Sequence, residues 1–148
     1  GLQLANIIIK NPTVRRAFVH ESRVSGYSEL NVMGYVSTVA AYRNGGEWYD
    51  AMHEYIRKNA EYVKEFVDAN LPKIRMINHE ATYLVWLDFR KLGLSVDELD
   101  NKIIYQSRLW LDSGKIFGKS GEGFQRINVA CPRKILEEAM KRLKEVFG

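Results

Sequence analysis

Apolar residues recur along the chain at two spacings, one typical of helices and one typical of strands. From Trp48 onward they repeat every three to four positions until Asn70 and Pro72 end the pattern, which predicts a long amphipathic helix. The same spacing follows Pro132, which stands where a first helical residue is favoured. The run YLVWLDF at 83–89 is continuously apolar, which predicts a strand covered on both faces and central to a small sheet.

Capping and turn residues delimit the remaining elements. Residues 1–9 predict an opening strand, Asn11 and Pro12 start a helix to about residue 23, and a second helix spans about 32–42. SVDE at 95–98 has the spacing of a capping box and predicts a helix to about residue 107. The order strand, three helices, strands, helix, strands, helix predicts an α+β fold with helices packed on a small sheet.

Composition changes this picture little. The chain has 148 residues, enough for one core, and its net charge of +4 is spread among interspersed charges of both signs. This mildly basic surface argues against a nucleic-acid partner. The apolar runs are too short to span a bilayer, so no membrane partner is predicted. The single cysteine, Cys131, cannot form an internal disulfide, which favours a reducing, cytoplasmic location.

The chain begins without methionine and enters a strand pattern almost at once. We therefore expect it to be part of a longer protein.

The strand FQRINVAC at 124–131 follows a glycine-rich loop and carries the most informative pattern. With period two, Ile127 and Val129 share one face with Cys131, while Arg126 and Asn128 project together from the other. A guanidinium fork held on a strand suits bidentate binding of a carboxylate or phosphate. Spacing alone favours a structural salt bridge at Arg126, and both interpretations stay open here.

Other candidate motifs fail on spacing. Gly118-Lys119-Ser120 resembles the end of a phosphate-binding loop, but Ser113 stands where that loop needs glycine. The three histidines (His20, His53 and His79) are widely separated, so we predict no metal site.

Four blocks in order resemble one family: GLQLANIIIKNP at 1–12, AAYRNGGEWYDAMHEYIRKN at 40–59, ATYLVWLDFRKLGLS at 81–95 and IFGKSGEGFQRINVACPR at 116–133. They are similar to the cystathionine β-lyase, or C–S lyase, branch of the class I/II aminotransferase superfamily, the fold-type I pyridoxal 5'-phosphate (PLP) enzymes. The resemblance implies the small carboxyl-terminal domain at 31–148, with a mostly antiparallel sheet. It implies that 1–30 is the end of the large domain and an inter-domain segment, comprising the opening strand and helices.

For the full-length protein the resemblance implies a PLP-dependent homodimer that cleaves a small sulfur amino acid to thiol, pyruvate and ammonia. A PLP-dependent aminotransferase is the alternative within the same superfamily. A basic, non-enzymatic binding module is the alternative from another class.

The resemblance also assigns roles to residues. In the family the R-x-N run supplies the arginine that binds the substrate's α-carboxylate, which maps onto Arg126, with Asn128 as a weaker substrate contact. The Schiff-base lysine is expected upstream of Gly1, and Lys10 is not its replacement. Gln3 stands near where many aminotransferases have a phosphate-binding arginine. We therefore expect no catalytic residue and no secure cofactor-binding residue in this chain, and a fragment that is inactive and binds PLP weakly or not at all.

Overall fold

The computed structural model describes residues 2–27 and 29–148, and it divides into two compact units, Gly1–Ala51 and Met52–Gly148. The predicted division into 1–30 and 31–148 remains a prediction.

The first unit contains two short helices and the start of a third. They are α1 (Pro12–Val24), α2 (Val32–Asn44) and α3 (Gly46–Asn70), which continues into the second unit. The Asn11 side chain accepts hydrogen bonds from the backbone N–H groups at positions 13 and 14, with Pro12 as first helical residue, as predicted. Asn31 caps α2 in the same way, and its Nδ2 also donates to the Leu2 carbonyl at 2.6 Å.

The predicted opening strand is not present. Residues 2–10 have no regular secondary structure, and none of the described residues pairs with them in a sheet. Gln3 has a positive φ of 49°, outside the extended region that a strand requires. Without a partner strand the backbone polar groups of this segment gain no ladder hydrogen bonds, and Ile8 remains exposed.

The second unit is built on a small antiparallel sheet. Its strands are β1 (Arg75–Met76), β2 (Leu84–Asp88), β3 (Asp112–Ser113) and β4 (Phe124–Asn128), in the order β1-β2-β4-β3. The remaining helices are α4 (Val96–Asn101) and α5 (Arg133–Phe147). This confirms the predicted α+β class, with β2 and β4 as the inner strands.

The core lies between one face of the sheet and the helices. Its completely buried apolar residues come from every layer: Val63, Val67, Leu71, Val85, Leu87, Val129, Met140 and Leu143. On β2 this corrects the prediction of two covered faces, because Leu84 and Trp86 are only half-buried. The continuous apolar run arises because one face of β2 packs in the core and the other lines a cleft.

Two helix boundaries differ from prediction. The capping box at Ser95 and Glu98 forms as expected, but α4 ends at Asn101 and a π-helical turn, Lys102–Gln106, follows it. The Ser107 N–H bonds the Lys102 carbonyl five residues back, and this wider turn keeps Ile103 in the core. Pro132 is the N-cap of α5 rather than its first helical residue.

A buried amide fastens the end of β4 to α3. Asn59 is completely buried, and its Nδ2 donates to the carbonyls of Val129 and Cys131 at 2.8 and 2.9 Å. These two acceptors lie beyond the last strand residue, where the sheet offers them no partner. Asn59 therefore fixes where β4 ends and where the chain turns toward α5.

Asp88 links stability to pH. Hydrogen bonds from the Arg90 side chain, at 2.8 and 2.9 Å, hold the pKa of this nearly buried carboxyl below its ordinary value of 3.8. A carboxyl with a lower pKa in the folded state stabilises the fold above about pH 3.8, and this contribution is lost as the pH falls through the folded-state pKa.

We therefore expect D88N to be less stable than the unsubstituted chain at pH 7 and to lose less stability between pH 5 and pH 2. Urea unfolding across that range measures the difference. Curves of stability against pH that run parallel for the two proteins would contradict this role.

Candidate functional site

Arg126 lies in the middle of a row of side chains that crosses three strands. The register pairs it with Trp86 on β2 and with Asp112 on β3. Its neighbours Gln125 and Ile127 are buried on the opposite face, as the period-two pattern predicts. The sequence pattern thus gives the direction of Arg126 correctly, and the sheet supplies the two neighbours.

An ion pair with Asp112 occupies one edge of the Arg126 guanidinium. Asp112 Oδ2 accepts hydrogen bonds from Nε at 3.0 Å and from Nη2 at 2.7 Å. The structural salt bridge considered from the sequence is therefore formed. Nη1 donates no hydrogen bond to any described residue, so the outer edge, formed by Nη1 and the second N–H of Nη2, can bind another carboxylate.

Two aromatic rings hold the plane of the guanidinium. Arg126 Cζ lies 4.5 Å from the centroid of Phe117 and 6.0 Å from that of Trp86. The rings contact each other edge to face, with centroids 5.1 Å apart. Since the Arg126 side chain is only 23% exposed, these rings stabilise the cation and shield it from water. Fewer competing waters strengthen any ion pair formed there.

Trp86 and Arg126 border a cleft of about 240 Å³. Its wall is formed by the β1–β2 connection, residues 77–82, together with Leu84, Trp86 and Arg126. The apolar residues of β2 and a single cationic side chain thus line the same space, which suits a small anion with an apolar body.

A polar network around the buried Gln125 side chain holds β4 from its other face. Gln125 Nε2 donates to Asp100 Oδ1 at 2.8 Å, and Lys115 Nζ pairs with Asp100 Oδ2 at 2.7 Å. Burial works to raise the pKa of Asp100, but hydrogen bonds from Lys115, Ser113 and Gln125 outweigh it and hold the pKa below its usual range. The network ties β4, α4 and the glycine-rich loop together beneath Arg126.

The glycine-rich loop is closed by backbone packing between two glycines. A Cβ placed on Gly114 would lie 1.9 Å from the Gly121 carbonyl oxygen and 2.8 Å from that of Phe124. Short 3-10 turns, Gly114–Phe117 and Lys119–Gly121, fill the loop, and β4 follows them. The loop therefore carries Phe117 over Arg126, and it lacks the helix that a phosphate-binding loop requires.

We expect G114A to destabilise the chain by about 1–3 kcal/mol, because backbone atoms cannot move aside as a side chain can. Gly46, whose added Cβ would meet nothing within 4 Å, supplies the control G46A, expected to change stability by less than about 0.5 kcal/mol. The free energy of unfolding in urea measures both. Equal values for the two variants would contradict the backbone packing.

Asn128 does not join Arg126 in the cleft. It is exposed, it is absent from the residues that line this cleft, and its Oδ1 accepts a hydrogen bond from the Ala130 N–H at 2.8 Å. This local bond stabilises the turn after β4. The substrate-binding role assigned to Asn128 by resemblance stays a prediction.

Sequence reasoning missed Asp112, Trp86 and Phe117 as neighbours of Arg126. Asp112 precedes it by 14 residues in a strand of two residues, too short for a periodic signal. Leu84 and Trp86 lie within a continuously apolar run, so nothing in the sequence indicated that their face of β2 borders a cleft.

Other kinds of site are not found in the described residues. No group of three or more His, Cys, Asp or Glu side chains there could hold a metal ion. None of the helices at 2–27 and 29–148 has the length and apolar character needed to cross a membrane.

The chain is similar over its full length to characterised proteins, although no protein-family model matches it. It is 36% identical over 148 residues to cystathionine beta-lyase PatB of Bacillus subtilis (strain 168), covering 100% of this chain and 38% of that protein. It is 32% identical over 137 residues to protein MalY of Escherichia coli (strain K12), covering 92% of this chain and 35% of MalY.

Comparison of the fold with solved structures points to the same group of proteins. Cystalysin from Treponema denticola, whose crystal structure contains a pyridoxal 5'-phosphate cofactor, superposes with a TM-score of 0.86 and 35% identity, over 95% of this chain and 36% of cystalysin. The chain thus spans between a third and two fifths of the length of these relatives and matches their carboxyl-terminal part. It therefore belongs to the class I/II aminotransferase superfamily of fold-type I PLP enzymes, where it corresponds to the carboxyl-terminal part of the cystathionine β-lyase branch.

Proposed function

We propose that this chain is the carboxyl-terminal part of a PLP-dependent C–S β-lyase, in which Arg126 binds the α-carboxylate of a small sulfur amino acid. The observation that carries the proposal is the free outer edge of the Arg126 guanidinium, held beside a cleft while Asp112 occupies its inner edge. The relatives named cystathionine β-lyase support the choice of reaction.

The role of Arg126 is to orient the substrate. A bidentate ion pair fixes a carboxylate in the plane of the guanidinium, and thereby fixes the direction of the Cα–H bond that must break. Asp112 and the rings of Phe117 and Trp86 keep this plane in place. PLP, bound in the full-length protein, supplies the electron sink for the breaking bond.

The described cleft does not itself fit PLP. The phosphate of PLP is close to a dianion and requires several converging donors, whereas Arg126 is the single cationic residue in the cleft wall and already pairs with Asp112. Glu80, also in the wall, adds negative charge. The cleft therefore suits a monoanionic carboxylate rather than the cofactor phosphate.

The lysine that removes the Cα proton belongs, on this proposal, to the sequence before Gly1. Lys10 lies in the irregular segment at 2–10 and takes no part. The full-length protein is proposed to be a cytoplasmic homodimer, and the 148-residue chain alone is expected to be inactive. Mixing the chain with PLP should leave the visible absorbance that of free PLP. A new band that borohydride abolishes would contradict this expectation.

Incubating the full-length protein with cystathionine tests the reaction. Release of thiol, pyruvate and ammonia without an added keto acid supports the lyase. Turnover that requires a keto acid instead identifies an aminotransferase. No turnover, combined with salt-sensitive binding to nucleic acid, would identify a basic binding module and reject both enzymes.

A further inference from the structure

We propose that Asp112 is a positioning residue for the lyase reaction, because it closes one edge of the Arg126 guanidinium and leaves the substrate carboxylate a single way to bind. The same contact lowers the affinity of Arg126 for carboxylates. The inference rests on the proposed function and goes beyond it, since it states how Asp112 limits both the orientation and the tightness of binding.

An arginine side chain offers two edges at which a carboxylate can form a bidentate ion pair. One edge consists of Nε with one N–H of Nη2, and the other consists of Nη1 with the second N–H of Nη2. The two edges point in different directions, so substrates bound at one or the other would direct their Cα–H bonds differently. A defined orientation therefore requires that one edge be closed.

Asp112 closes the inner edge of Arg126. Its Oδ2 accepts hydrogen bonds from Nε at 3.0 Å and from Nη2 at 2.7 Å, so no donor of that edge is left for a substrate. The strand register holds this contact, because Asp112 on β3 lies directly opposite Arg126 on β4. The rings of Phe117 and Trp86 contain no carboxylate or carbonyl acceptor, so they cannot close an edge.

Asp112 and the cleft lie on opposite sides of Arg126 in the sheet. Strand β4 lies between β3, which carries Asp112, and β2, which carries Leu84 and Trp86 of the cleft wall. Asp112 is not among the described residues that form this wall, so it acts on a ligand only through Arg126. It can therefore stay paired while a substrate binds and leaves.

The charge of Asp112 opposes the binding that Arg126 provides. The Asp112 side chain is 42% exposed and that of Arg126 is 23% exposed, so solvent screens this pair only in part. Two carboxylates at different edges of one guanidinium lie within a Debye length, about 8 Å at physiological ionic strength, and therefore repel each other. Asp112 thus lowers the affinity for the substrate carboxylate while it determines the orientation.

The first test removes the charge of Asp112 and keeps the contact. D112N retains an amide oxygen that can accept from Nε and Nη2, so the inner edge stays closed. In the full-length protein its Kd for methylthiopropionate, a thioether acid without an α-amino group, should fall by about three- to tenfold in calorimetry. The Kd for the uncharged amide of this acid should not change. The difference between D112N and the wild type should decrease as salt is added.

The second test opens the inner edge. D112A vacates this edge, and a substrate that binds there is held in an unproductive orientation. Such binding lowers kcat and KM together, so both constants for cystathionine should fall by about two- to tenfold, while kcat/KM changes less. D112N, whose inner edge stays closed, should keep kcat within about threefold of the wild type.

D68N is the matched control for both variants. Asp68 on α3 also pairs with a cation, Lys64, and it does not line the cleft, so its replacement should leave Kd, kcat and KM within about twofold of the wild type.

The outcomes separate the inference from the proposed function. An unchanged Kd in D112N would show that the charge of Asp112 does not oppose binding. A D112A enzyme whose KM rises, or whose kcat equals that of the wild type, would show that Asp112 does not select an orientation. Either result would overturn the inference and leave the proposed function in place. A wild-type enzyme that releases no thiol from cystathionine would overturn the proposed function and this inference with it.

Discussion

Replacing Arg126 with glutamine in the full-length protein is expected to lower kcat/KM for β-elimination by roughly 30- to 4,000-fold. Removing one partner of a desolvated, hydrogen-bonded ion pair costs about 2–5 kcal/mol, and each 1.4 kcal/mol corresponds to a factor of ten. The side chain is 23% exposed and lies against two aromatic rings, so solvent screens the ion pair only in part. Both KM and kcat should change, because Arg126 binds the substrate and also orients it.

R126K separates charge from geometry. Lysine keeps the positive charge but presents no planar fork, so it should recover only a small part of the lost activity. R142Q is the matched control, since Arg142 on α5 pairs with Glu138 and does not line the cleft, and its loss should leave kcat/KM within about twofold. Similar kinetics for R126Q and R142Q would show that Arg126 does not bind the substrate.

Substituting leucine for Asn59 is expected to destabilise the chain by about 2–4 kcal/mol. Leucine has a similar volume but no donor, so the carbonyls of Val129 and Cys131 would remain buried without their partner. Asn59 Oδ1 has no partner among the described residues, and removing this unpaired atom recovers a part of the loss. The expected value is therefore less than the full cost of two buried acceptors.

N101L serves as the control, because Asn101 is exposed at the end of α4 and should change stability by less than about 0.5 kcal/mol. Urea unfolding of the 148-residue chain measures both variants. If N59L were as stable as N101L, Asn59 would not hold the end of β4.

Local sequence signals were sufficient to predict most of the helices and the two inner strands. Asn11 with Pro12, and Ser95 with Glu98, start their helices as predicted, because capping depends on residues close in sequence. The prediction of an opening strand was wrong because a strand needs a partner, and the composition of residues 1–9 contains no information about one. The prediction that β2 is covered on both faces was wrong for a related reason. Apolar residues that line a cleft look the same in sequence as apolar residues in a core.

The sequence was enough to predict which face of β4 carries Arg126, but not which residues surround its side chain. Strand alternation indicated the face from which Arg126 projects, since that depends only on its own strand. Asp112 and Phe117 reach Arg126 through the register of β3 and the closure of the glycine-rich loop, which are contacts between distant parts of the sequence. His79 was judged only as a possible metal ligand, because a lone histidine in a loop gives no signal that a cleft lies beside it.

A crystal structure of the full-length protein with a bound, unreactive sulfur amino-acid analogue would show which side chain holds the α-carboxylate. We expect both carboxylate oxygens about 2.7–3.0 Å from Nη1 and Nη2 of Arg126, with Asp112 still bound to the inner edge through Nε. A carboxylate bound elsewhere, with the outer edge of Arg126 paired to another side chain of the protein, would contradict it.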